Sequence, residues 1–148
     1  MTLTLHGRWQ TRILLMTLFG LPVTALYTYL TSQTVLPFIL LGYALTFGLG
    51  WDLLYNYAQS LRWNRDWPPL FAFYSGLWEG SILFLLAQLP MPLQPGDHIS
   101  ILPGIHMGIP FSQFWFHYGL VFGGTFLASL GLLHTLMPRW RYGGGEWM

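Results

Sequence analysis

Residues 62–89 read Arg-Trp-Asn-Arg-Asp-Trp-Pro-Pro-Leu-Phe-Ala-Phe-Tyr-Ser-Gly-Leu-Trp-Glu-Gly-Ser-Ile-Leu-Phe-Leu-Leu-Ala-Gln-Leu. From Pro69 to Leu89 the run carries a single charged residue, Glu79. A transmembrane helix needs about 20 mostly apolar residues, because each adds roughly 1.5 Å against about 30 Å of hydrocarbon. This run has that length. Its leading edge, with Arg62, Arg65 and Asp66 set among Trp63 and Trp67, has the charged and aromatic character of a membrane interface. Pro68 and Pro69 suit a first helical turn, and Asp66 is the expected N-cap.

Working outward, three more segments pass the same test: about 13–30 and 36–57 before this run, and about 111–136 after it. Only 7% of the 148 residues are charged and 53% are hydrophobic, against about 25% charged in an ordinary soluble domain. So few charges exclude a disordered chain and cannot cover a soluble surface without large apolar patches. The absence of Cys excludes a disulfide scaffold, thiolate metal sites and thiol catalysis. The expected fold is an all-α integral membrane protein, one four-transmembrane-helix bundle over 1–148. Residues 58–68 form its cytoplasmic hairpin and 90–110 its outer loop. Arg8 and Arg12 ahead of an apolar run also fit a signal peptide, but the run is long for one and no A-x-A-like site follows.

Arg8, Arg12, Arg62, Arg65, Arg139 and Arg141 all fall on one side if both termini are cytoplasmic, and no Arg falls on the other. Trp9, Tyr55, Tyr57, Trp63, Trp67, Trp140 and Tyr142 gather at that same interface, as an anchoring belt would. The net charge of +1 offers no basic face for nucleic acid.

Burying leucine gives helices no reason to associate in lipid, so small residues that allow close backbone approach carry the packing. Gly76 and Gly80 on the third span, and Gly119 and Gly123 on the fourth, are the expected packing positions. Gly42, Gly48 and Gly50 add smooth positions to the second span. Pro22, beside Gly20, is expected to kink the first span and make it the looser member.

Asp52 and Glu79 are the two acidic residues at membrane depth, where charge is costly and normally has a partner. Counted from the hairpin they differ by about four residues, roughly 6 Å in depth. They can share a proton or clamp an Arg between them. Arg62 and Arg65 are the candidate charge partners. One reading is a pinned structural pair, the other a proton or ion relay or a contact to a partner helix.

His117 and His134 lie about 25 Å apart along one helix, so one metal cannot join them. His117 is the candidate axial ligand for a haem or a chlorophyll, although spans one to three contain no His for a cytochrome-b-type pair. Its alternative is a hydrogen-bonded histidine. Asp97, His98 and His106 follow no metal-ligand spacing, and no metal site is expected. Residues 99–110 are apolar but too broken by Pro and Gly to span. They should lie on the membrane surface, dip into headgroups, or meet another protein.

No hydrolase, metalloprotease, phosphate-loop or dinucleotide motif occurs. The leading functional expectation is an accessory or scaffolding subunit of a larger membrane complex, touching lipids and other subunits or a second copy. The alternatives are a small proton, ion or solute transporter using Asp52 and Glu79, and a pigment- or haem-binding protein using His117. The C-terminal tail from Gly143 onward is a possible docking element.

Overall fold

The computed structural model describes residues 4–32, 35–63, 67–90, 100–106, 108–131, 133, 135 and 146. They form four helices, and no strand occurs among the described residues. Helix α1 runs through Leu5–Thr31, α2 through Leu36–Ser60, α3 through Pro69–Gln88, and α4 through Phe111–Leu130. The first three are long and apolar enough to cross a membrane. Helix α4 matches α3 in length and has no charge, but its aromatic, glycine and polar residues dilute its hydropathy. Large apolar side chains such as Leu26, Leu30, Leu85 and Leu127 point outward, as lipid-facing residues do.

Thr4 caps α1, its Oγ1 accepting from the Gly7 N–H at 3.0 Å. Ser32 ends the helix in a left-handed conformation, φ 53°. Proline occupies the first turn of α2 and of α3. The cap position of α3 is Pro68, with no side-chain cap bond, two residues beyond the expected Asp66. Asp66 lies outside the described residues.

Helix α1 begins well before residue 13 and is one continuous rod, interrupted by a π turn over Met16–Gly20 in which the Leu21 N–H reaches Met16 O. Pro22 explains the interruption. It has no N–H to give Leu18, and its ring crowds that carbonyl. The turn has a consequence for the interior. At about 100° per residue, Thr24 would lie about 120° around the helix from Arg12. The one extra residue absorbed by the π turn brings that to about 20°. Both residues then face inward, and α1 packs along its length instead of being the looser member.

The helices close a ring: α1 packs on α2 and α4, and α3 packs on α2 and α4. The α3–α4 contact is a ridge set into a groove. Phe114, Tyr118, Phe122 and Phe126 stack at i, i+4 along α4, with centroids 5.7, 6.1 and 5.7 Å apart. Gly80 and Gly76 receive the Tyr118 and Phe122 rings, and Tyr118 donates to Gly76 O at 2.7 Å. Gly119 and Gly123 do not share this role, since nothing lies within 4 Å of a Cβ placed on either. They lie about 100° around α4 from the centre of the aromatic ridge, so within the described residues the close approach is made at Gly76 and Gly80.

The described part of the outer loop folds back between the helix ends instead of lying on a surface. Leu102, Ile105 and Ile109 are buried with Leu40, Leu83, Ala87 and Phe114, and Ile105 is 1% exposed. Its backbone polar groups find partners, which permits burial. Ser100 N–H donates to Ile105 O, and Ile101 N–H to Leu89 O, each at 2.9 Å. Tyr43 donates to Pro103 O at 2.9 Å, and Gln88 to Ile109 O at 2.8 Å. At the other end of the molecule, Thr4 Oγ1 donates to Glu146 Oε1 at 2.7 Å, so the two described ends of the chain meet.

Candidate intramembrane binding site

Asp52 on α2 and Glu79 on α3 are brought together around one cation, and that cation is Arg12 of α1. Arg12 Nε donates to Asp52 Oδ2 at 2.9 Å and Nη2 to Asp52 Oδ1 at 2.9 Å. Nη1 donates to Glu79 Oε2 at 2.9 Å and Nη2 to Glu79 Oε1 at 3.2 Å. Both carboxylates are thus gripped at two points, the strongest geometry an arginine offers. The planar fork also absorbs the depth offset between the two acids. Asp52 is 3% exposed and the Glu79 side chain 10%.

Gly48 makes room for this arrangement. A Cβ there would collide with the Arg12 guanidinium. The guanidinium cannot swing aside, because four bonds hold it. Gly42 and Gly50 face open space.

Arg62 is not the partner of either acid. Its guanidinium lies over the Phe71 ring, 4.7 Å from the centroid. Arg65 lies outside the described residues. The second cation at the site is Arg8, one turn before Arg12. It is 7% exposed, donates through Nη2 to Gln59 Oε1 at 2.5 Å, and sits 4.6 Å from the Trp67 ring centroid. Trp67 in turn packs on Tyr55 at 5.4 Å and on Phe71 at 5.6 Å. Trp67 and Phe71, from the stretch quoted at the outset, thus assemble one end of the site together with Tyr55.

These groups line a cavity of about 190 Å³ inside the ring of helices. Arg8, Arg12, Asp52, Tyr55, Ser75 and Glu79 supply its polar wall. Leu15, Met16, Leu83, Val121, Phe122 and Phe126 supply its apolar wall. Leu83 belongs both to this wall and to the buried cluster under the outer loop, so the cavity is closed at that end.

His117 sits elsewhere, at 4% exposure. Its Nε2 shares a 3.0 Å hydrogen bond with Thr24 Oγ1, and its ring lies 4.9 Å from that of Tyr27. The space beside it is about 10 Å³, and its Nε2 is engaged by Thr24. His106 is exposed, while Asp97, His98 and His134 lie outside the described residues.

Arg8, Arg12 and Gly48 escaped the residue-type search because Arg8 and Arg12 read as orientation signals. Their i, i+4 spacing, which places both on one helix face, is the signal that pointed inward. Comparison with protein families, with curated proteins and with solved structures finds no match to this chain.

Proposed function

We propose that this chain is a four-span membrane protein that binds a small molecule in the cavity beside Arg12, Asp52 and Glu79. In this reading α4 is the fourth span, and the hairpin side with its arginines is cytoplasmic. The observation that carries the proposal is a cavity of about 190 Å³, lined by two arginines and two carboxylates, in the interior of an apolar bundle. Apolar cavities of about 150 Å³ already take up small molecules, and ionisable side chains at membrane depth are by default functional.

A proton or ion relay is the weaker form of this reading. Arg12 saturates both carboxylates, and the cluster of Leu40, Leu83, Ala87 and Phe114 fills the path beyond them. A cavity blocked at its loop end favours binding over conduction. The complex-subunit reading has one feature in its favour: among the described residues nothing lies within 4 Å of a Cβ placed on Gly119, Gly123 or Gly124 of α4. The outer loop supports it less, since Leu102, Ile105 and Ile109 are buried within the chain, although Ile101 stays exposed.

Native mass spectrometry of the detergent-extracted full chain separates the two. A small-molecule adduct retained by the native chain and lost in Ser75→Phe, which fills the cavity, supports binding. A stoichiometric second protein and no adduct supports the subunit reading and overturns ours.

A further inference from the structure

We propose that the ligand of this cavity carries an oxyanion, a phosphate or carboxylate head, and that Arg8 is the residue that holds it. The inference rests on the binding reading and deepens it by naming the ligand's chemistry.

Complementarity follows from which polar valences in the cavity wall remain open. The carboxylate oxygens of Asp52 and Glu79 are all engaged by Arg12. The Ser75 hydroxyl donates to Ala72 O, Thr125 to Val121 O and Ser129 to Phe126 O. One lining atom is buried and lacks a hydrogen bond, Arg8 Nε; the Tyr55 hydroxyl is within reach of Glu79 and Ser75. Arginine Nε can only donate. The open valence is therefore a donor that carries positive charge.

Charge points the same way. Arg12 is hydrogen-bonded to both acids, whereas Arg8 has no ion pair among the described residues, although its charge offsets the second acid and is felt by Asp52. Its neighbours are the neutral Gln59 amide and the Trp67 ring. A buried guanidinium held by an amide and an aromatic face, with an unused donor, is a preformed site for an oxyanion. Leu15, Met16, Phe122 and Phe126 offer apolar surface in the same cavity, so the anion can arrive as the head of an alkyl chain or as a free ion.

The test uses the full chain in dodecyl maltoside micelles. Dodecyl phosphate, inorganic phosphate, dodecyltrimethylammonium and a neutral dodecyl ether are titrated separately. Adduct stoichiometry and the shift in melting midpoint are read for each. One dodecyl phosphate per chain is expected, bound about ten- to a hundredfold more weakly by Arg8→Gln, the range for a lost charged hydrogen bond. If inorganic phosphate binds as well and shows the same Arg8 dependence, the oxyanion site stands and its source is the free ion.

Equal binding of the neutral ether and dodecyl phosphate overturns this inference but leaves the cavity reading intact. A preference for the ammonium head overturns it as well, because the carboxylates would then dominate. If no probe binds, solvent serves the open donor and the inference fails. If, in addition, Ser75→Phe leaves every adduct unchanged, the cavity reading fails too. Should Arg8→Gln not fold, Arg8→Lys and the head-group series on the unsubstituted chain decide. Lysine keeps the charge but lacks Nε, and should bind dodecyl phosphate more weakly than arginine does.

Discussion

Replacing Arg12 by methionine should be among the costliest single changes in this protein. The substitution keeps an unbranched chain of similar reach but removes four charge-assisted hydrogen bonds, three at 2.9 Å and one at 3.2 Å. Two carboxylates are then left facing each other in an apolar interior. Breaking a buried pair by removing one member costs about 3–5 kcal/mol, because the remaining charge is uncompensated. Polar contacts in membranes come out weaker than expected, since the unfolded state also finds partners, so the lower end, about 3 kcal/mol, is the expected loss. Equilibrium unfolding in dodecyl maltoside and dodecyl sulfate mixtures, followed by circular dichroism, measures it. The triple change Arg12→Met, Asp52→Asn, Glu79→Gln should recover most of that loss, because a whole ion cluster can be replaced at little net cost. If Arg12→Met alone unfolds within about 0.5 kcal/mol of the unsubstituted chain, or if the triple variant is the less stable of the two, the three residues are not coupled and the reasoning is wrong.

Further expectations are read in the same unfolding assay. Gly76→Ala and Gly80→Ala should each cost about 1–3 kcal/mol by overpacking against Phe122 and Tyr118, while Gly119→Ala and Gly123→Ala should stay within about 0.5 kcal/mol; equal losses at all four would refute the one-sided groove. Gly48→Ala should destabilise the native chain by displacing the guanidinium, yet have little effect in the Arg12→Met background, a non-additivity that a double-mutant cycle detects. Ile105→Ala should cost about 2–5 kcal/mol as a fully buried core residue; a loss near zero would mean that the outer loop does not plug the bundle.

Composition alone made the apolar helices legible, because a span needs length and few charges and both are local properties. Asp52 and Glu79 were legible for the same reason: an acid inside an apolar run stands out. Their partner was not. Arg12 sits at the start of its run, where an arginine reads as an orientation signal. Its i, i+4 spacing from Arg8 was the one hint, and the π turn and the packing of α1 on α2 show that it faces inward. Gly48 was equally hidden, since its role is to leave space for a side chain on another helix. The burial of Ile105 was not foreseen, because the loop's apolar residues were expected to lie on the membrane surface, dip into headgroups or meet another protein. What the sequence does not display is that Ser100, Gln88 and Tyr43 serve its backbone, and those bonds allow it to be buried.

Both ends of the bundle face one geometric problem and solve it differently. Each helix in the ring packs on its two neighbours, so the space across the diagonal must be filled from elsewhere. At the loop end it is filled by Leu102, Ile105 and Ile109, and the interior is closed and apolar. At the hairpin end Trp67 packs on Arg8 and Tyr55, and Arg12 crosses from α1 to Glu79 on α3. An arginine is long and thin. It can tie the two helices together without occupying the volume between them, and a rigid bidentate grip on each acid keeps them from collapsing inward. The cavity is the space that this solution leaves, held open by the same bonds that stabilise the bundle. A structural role for the ion cluster and a binding role for the cavity are therefore not rivals, and removing Arg12 should abolish ligand retention and lower stability together, whereas removing Arg8 should affect retention far more.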